Sequence, residues 1–171
     1  TGLRTALLGA GLCLAAPSVF AADPVLNFDF NEGSGPPTSD SVKKLVGTLG
    51  AVGTQVLSVS DTPSGAANDK AISINMDNPT SQGFLAVNDS SGPILNLSSN
   101  AFTMEAWIKL DPTDARQYEG IGAYGGSYKM GMANQQLEFT LYGIVDITSG
   151  FFDPLDNAWH HVAAVWEPGI G

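Results

Sequence analysis

Glu105 and Glu138 stand in stretches where apolar and polar residues alternate, which puts a carboxylate on the polar face of a strand. Hydrolysis of a glycosidic bond needs two such groups, about 5–5.5 Å apart for retention or about 6.5–9.5 Å apart for inversion. On one strand that requires Glu-x-Asp or Glu-x-x-x-Glu spacing. Glu105 shares its face with Trp107 and Lys109, and Glu138 shares its face with Thr140 and Tyr142. No strand carries the pair. There is no nucleophile elbow, and the single cysteine, Cys13, lies in the leader, so the mature segment offers no thiol chemistry. The sequence reads as a non-enzyme.

Other residue types suit binding. Asp29, Asn31 and Asp40 resemble pieces of an oxygen-ligand loop of the kind that holds Ca²⁺. The sixth position of an EF-type loop would be Ser34 where Gly is needed, and turn chemistry is the competing reading. Asp77, Asn78, Asp89 and the acidic loop at 153–156 are equally plausible oxygens. His160 and His161 are adjacent, so on a strand they point to opposite faces and cannot chelate one ion. Four tyrosines, at 118, 124, 128 and 142, cluster amid glycines. Tyr124, Tyr128 and Tyr142 are the candidate ligand surface. Tyr142 falls on the polar side of its alternation. Trp107 and Trp159 could stack on sugar rings, but each sits among apolar neighbours and is expected to pack in the core.

These residues are positioned by short β-type runs. The clearest are 25–30, 71–75, 84–87, 102–110, 120–124, 128–132, 136–142 and 159–166, separated by Gly, Pro, Asn, Asp and Ser clusters. Leu137, Phe139 and Leu141 alternate against Gln136, Glu138 and Thr140. Phe102, Met104, Ala106 and Ile108 make a second stripe. Strand and turn repeat without βαβ units, so the fold is expected to be all-β, an antiparallel sandwich. Residues 1–21 form a separate unit. Arg4, the apolar run from Ala6 to Ala16, and Val19-Phe20-Ala21 read as a signal peptide cleaved after Ala21, which implies a secreted, extracellular, periplasmic or cell-surface product. The run is too short to span about 30 Å of hydrocarbon, so no membrane span is expected in the mature segment. Seven basic against 17 acidic residues give a net charge of −10. That field repels nucleic acid and anionic membranes and leaves neutral sugars, cations and basic proteins as partners.

Three stretches together carry a resemblance. The first is Leu26-Asn27-Phe28-Asp29-Phe30-Asn31-Glu32-Gly33-Ser34-Gly35, followed by Asp40. The second is Lys70-Ala71-Ile72-Ser73-Ile74, then Phe84-Leu85-Ala86-Val87, then Phe102-Thr103-Met104-Glu105-Ala106-Trp107-Ile108-Lys109. The third is Ala158-Trp159-His160-His161-Val162-Ala163-Ala164-Val165-Trp166. In order and spacing they resemble the bacterial laminin-G-like, pentraxin-like family of concanavalin A-like domains. The resemblance implies a jelly-roll β-sandwich over 22–171. Members usually run on into a hairpin with a Tyr-Val-Asp-Gly turn, whereas this sequence stops at Pro168-Gly169-Ile170-Gly171, so the sandwich is expected to be incomplete, its C-terminal strands missing. The resemblance further implies a structural calcium and a non-catalytic module that recognises a carbohydrate or a cell-surface protein within a larger extracellular protein. A structural or adhesive surface protein is the alternative, and an accessory domain of a secreted glycoside hydrolase is another. Fold alone does not choose among them.

Overall fold

The computed structural model describes residues 24–32, 38–50, 56–74, 84–88, 95–97, 99–112, 118–150 and 155–169. The expected signal peptide lies outside them, as do Asp77, Asn78, Asp89 and Asp153. The described residues contain eleven strands and no helix: β1 (Thr38–Ser39), β2 (Val46–Gly50), β3 (Val56–Val59), β4 (Ala71–Ile74), β5 (Phe84–Val87), β6 (Phe102–Ile108), β7 (Tyr118–Tyr124), β8 (Tyr128–Ala133), β9 (Gln136–Leu141), β10 (Val145–Thr148) and β11 (His160–Trp166). Every pairing is antiparallel. The sheets run β1-β2-β5, β10-β9-β8-β7, β11-β6 and β3-β4. Seven of the eight expected runs return as strands, with ends shifted by a residue or two. The fold is the expected all-β one.

The core lies where the β11-β6 pair packs face-on against the four-stranded sheet. Tyr128, Met130, Phe139 and Leu141 come from one side, and Val162, Ala164 and Trp166 from the other. Phe102, Met104, Ala106 and Ile108 of β6 add the expected stripe. Phe102 sits 4.7 Å from the Tyr128 ring and 5.9 Å, edge-on, from Phe139, spacings at which aromatic pairs attract. Met130 and Leu141 are each only 1% exposed. Period-2 alternation produces this arrangement, since every second side chain of each strand faces inward.

Local chemistry sets the connections. β8 and β9 join through Asn134 and Gln135, both at positive φ (49° and 61°), the geometry of a two-residue hairpin whose twist matches its strands. In β7 the register shifts between Gly120 and Gly122. This bulge lets Ile121 join the core. A Cβ on Gly122 would lie 3.1 Å from the Met104 Cε, a tight contact that the flexible end of this side chain would have to relieve.

The expected strand at 25–30 is the exception: none is assigned there. Phe30 turns into the left-handed region at φ 57°, which ends an extended run. The segment is held sideways instead. Asn27 accepts at its carbonyl from the Ser41 amide (2.8 Å) and donates through Nδ2 to Ser41 Oγ (2.9 Å).

Candidate functional site

The three expected calcium ligands each accept from backbone amides. Asp40 is fully buried. Its Oδ1 accepts from the backbone amides of Asn27 (2.6 Å) and Val42 (3.1 Å), and its Oδ2 accepts from the Lys43 amide. Burial pushes this carboxyl up, but the backbone hydrogen bonds from Asn27, Val42, Lys43 and Leu45 outweigh it and hold the pKa below its ordinary value. Asp29 Oδ1 accepts from the Asn31 amide (3.2 Å), and Asn31 Oδ1 accepts from the Lys70 amide (2.8 Å). Asp29 and Asp40 thus cap amides of their own turns, as the competing turn reading has it, while Asn31 ties in the distant Lys70. Among the described residues no group of three or more His, Cys, Asp or Glu side chains is placed to hold a metal.

The tyrosines separate as well. Tyr124 and Tyr128 stack on each other, with centroids 5.8 Å apart and planes 25° apart. Both belong to the inner face, in register with each other. Tyr128 is 5% exposed and donates its hydroxyl to the Leu95 carbonyl at 2.6 Å. It is a core residue and not a ligand surface, because it shares its strand face with Met130 and Met132. Tyr142 is half exposed and sits in the turn after β9. Its amide donates to the Ser127 carbonyl (3.0 Å), tying together the two turns at this end of the sheet. Of the three, only Tyr142 is offered to solvent on the polar side.

Trp107 reverses its expected placement. It is 55% exposed. On β6 the inner residues are Phe102, Met104, Ala106 and Ile108, so Thr103, Glu105 and Trp107 face outward. On β11, Val162, Ala164 and Trp166 face inward, while His161, Ala163 and Val165 face outward. The register sets Trp107 beside His161 and Glu105 beside Ala163. The Trp107 and His161 rings lie 5.2 Å apart at 53°. His161 Nε2 is 3.4 Å from Glu105 Oε2. The two histidines take opposite faces, as adjacency requires; His160 meets Asp156 at 2.9 Å instead.

Next to this face stands a polar bridge. Asp61 accepts from Lys109 Nζ through Oδ2 (2.5 Å) and from Trp159 Nε1 through Oδ1 (3.0 Å). The Lys109 hydrogen bond, then that of Trp159, holds the Asp61 carboxyl below its ordinary value. Trp159 is half-buried, so its indole N–H is spent on the bridge and not offered to a ligand. The outer β6-β11 face thus presents one open indole, an imidazole, a carboxylate and a flanking ammonium–carboxylate pair. Aromatic faces with convergent donors and acceptors suit a ring that is apolar on its faces and polar at its rim.

A model of the laminin-G type, from the concanavalin A-like lectin/glucanases superfamily, matches residues 79–171, just over half of the chain. The chain belongs to this superfamily. β5 through β11, the whole packed core and the Trp107 face fall inside the matched segment of this lectin/glucanase-type domain. The Asp40 turn falls outside it. No curated protein and no solved structure gives a significant match.

Proposed function

We propose that this superfamily member is an exported, non-catalytic module that binds carbohydrate across the outer β6-β11 face, with the Trp107 ring as the stacking platform. The observation that carries the reading is the open indole of Trp107 set beside His161, which in turn reaches Glu105, on the outer strand face. The Trp107–His161 contact limits the motion of the indole before a ligand arrives, which reduces the entropy cost of binding. Glu105 supplies an acceptor for sugar hydroxyls. The net charge of −10 favours neutral over acidic glycans. Glu105 and Glu138 lie on the outer faces of different sheets with the core between them, which supports binding over hydrolysis by that pair.

The test is titration of the full chain with soluble neutral polysaccharides, wild type against Trp107→Ala. The variant is expected to bind at least tenfold more weakly, about 1.4 kcal/mol, with an unchanged melting temperature because the side chain is outside the core. Equal affinity for the two proteins would remove the reading. A second reading, self-adhesion, is favoured by Val165, which is 70% exposed on the same face. It predicts that Trp107→Ala alters sedimentation without altering any glycan titration.

A further inference from the structure

The sheet β10-β9-β8-β7 has two outer edges, and they differ. β7 is interrupted by its bulge, which spoils an edge as a template for further pairing. β10 is regular: Val145, Asp146, Ile147 and Thr148 pair in unbroken register with Leu141, Thr140, Phe139 and Glu138. The Ser149 amide donates to the Leu137 carbonyl (2.9 Å), which carries the ladder one residue further. Backbone groups alternate in direction along a strand, so Ser149, Ile147 and Val145 turn theirs toward β9. Asp146 and Thr148 each turn an N–H and a C=O away from the sheet, and among the described residues no strand pairs with β10 on that side.

The side chains alternate as well. Val145 and Ile147 stand on the inner face, beside Leu141 and Phe139. Val145 packs against the core, but Ile147 is 48% exposed, and Ile144, just before the strand, is 59% exposed. The inner face therefore runs past the cover that β6 and β11 provide, and an apolar margin lies along the open edge. Asp146 stands on the outer face, exposed, and is the one charge on the strand. Of its neighbours on that face, Lys129 is held by Glu138 at 2.6 Å, which leaves Asp146 as the carboxylate in excess. Open edges are commonly guarded by lysine, proline or a bulge; β10 has none of these.

We propose that the β10 edge takes up an extended segment of a cationic partner protein, which adds a fifth strand to this sheet. Its backbone would bond the outward amides and carbonyls of Asp146 and Thr148. Residues opposite Val145 and Ile147 would be apolar and cover Ile147, and the residue opposite Asp146 would be lysine or arginine, since opposite charges across a strand pair are favourable. A second copy of this chain fits less well: each copy carries a net charge of −10, and its own β10 brings a carboxylate and no cation. This edge is separate from the Trp107 face, which belongs to the β11-β6 pair.

The experiment is amide hydrogen exchange, read by NMR, on the full chain with a capped heptapeptide in which valine and lysine alternate, and with its counterpart carrying glutamate for lysine. In the free chain the Asp146 and Thr148 amides are expected to exchange fast and the Val145 and Ile147 amides slowly. The lysine peptide should slow Asp146 and Thr148 at least tenfold, and the glutamate peptide should bind at least tenfold more weakly. Thr148→Pro removes one outward N–H, a change that edge strands tolerate, and should weaken the lysine peptide at least fivefold. Asp146→Lys, at an exposed side chain, should reverse the preference between the peptides, and it carries the test alone if the proline variant does not fold. The proposal is overturned if about 1 mM lysine peptide, the weak end of specific affinity, leaves both amides unprotected, or if the two peptides bind equally. It is also overturned if the two amides are already protected in the free chain in proportion to its concentration, which would give the edge to a second copy.

Discussion

Asp40 is a carboxylate without access to solvent whose acceptor capacity is used by backbone amides. That makes it a staple between the 24–30 segment and the turn at 40–45. Asp40→Asn keeps the size and surrenders one acceptor, so a loss of about 1–3 kcal/mol in unfolding free energy is expected. Because the Asp40 pKa is depressed in the fold, its contribution is present above its ordinary value of 3.8 and is lost as pH falls through that value and below. Chemical melts from pH 7 to pH 2 should therefore show a shallower acid limb in the variant. The loss should be the same with Ca²⁺ or with EDTA. If EDTA destabilises the wild type and Asp40→Asn removes that sensitivity, Asp40 is a metal ligand after all. Residue-level reading was uneven, and the cause is visible at Trp107. The stripe Phe102, Met104, Ala106, Ile108 already places Trp107 on the other face with Glu105. The size of the indole argued for the core, and parity was the stronger signal. Tyr128 failed the opposite way: its parity with Met130 and Met132 marks the core, while its glycine-rich setting argued for a surface. The open side of β10 gave no warning, since only the sheet register reveals which of its amides are unpaired.

Among the elements, β7 makes the sharpest prediction. Its bulge at Gly120/Gly122 and the bare Cα of Gly122 let the Met104 side chain of β6 enter. Gly122→Ala asks only that the flexible tip of Met104 shift. Gly122→Val adds branched carbons, and about 1–3 kcal/mol of overpacking is expected. Denaturant midpoints of the two variants check this; equal midpoints would mean that β6 is not closely packed there. The strands with clean alternation, β6, β9 and β11, were legible because one buried face forces a period of two. β1, β2, β3 and β10 were not. They are short, exposed or irregular in pattern, and their pairing is set by partners far away in sequence, such as β2 with β5. The 25–30 run had a strand-like composition, yet Phe30 at positive φ and side-chain anchoring to Ser41 replace a ladder.

At the scale of the whole molecule, the packed core joins strands far apart in the chain: β6 (Phe102–Ile108) pairs with β11 (His160–Trp166), with β7 to β10 between them in sequence. Such non-local pairing implies slow folding relative to helical domains of this size. The class of fold could be read from strand and turn periodicity, and its family from three motifs in order. The Trp107 face and the open β10 edge could not, because each depends on how strands pair. The sandwich also distributes its three indoles by depth. Trp107 is 55% exposed, Trp159 is half-buried on Asp61, and Trp166 is 8% exposed in the core. Each layer of the protein therefore carries its own fluorophore. Acrylamide, being neutral, should quench a long-wavelength component that disappears in Trp107→Ala, and iodide should quench it less than caesium does because the chain is strongly anionic. The remainder belongs to Trp159 and Trp166, and the shift of its bluest part, from buried Trp166, to the red on heating would time the separation of the two sheets. Occupancy of the Trp107 face and integrity of the core can thus be followed in one cuvette, by colour, with no added label.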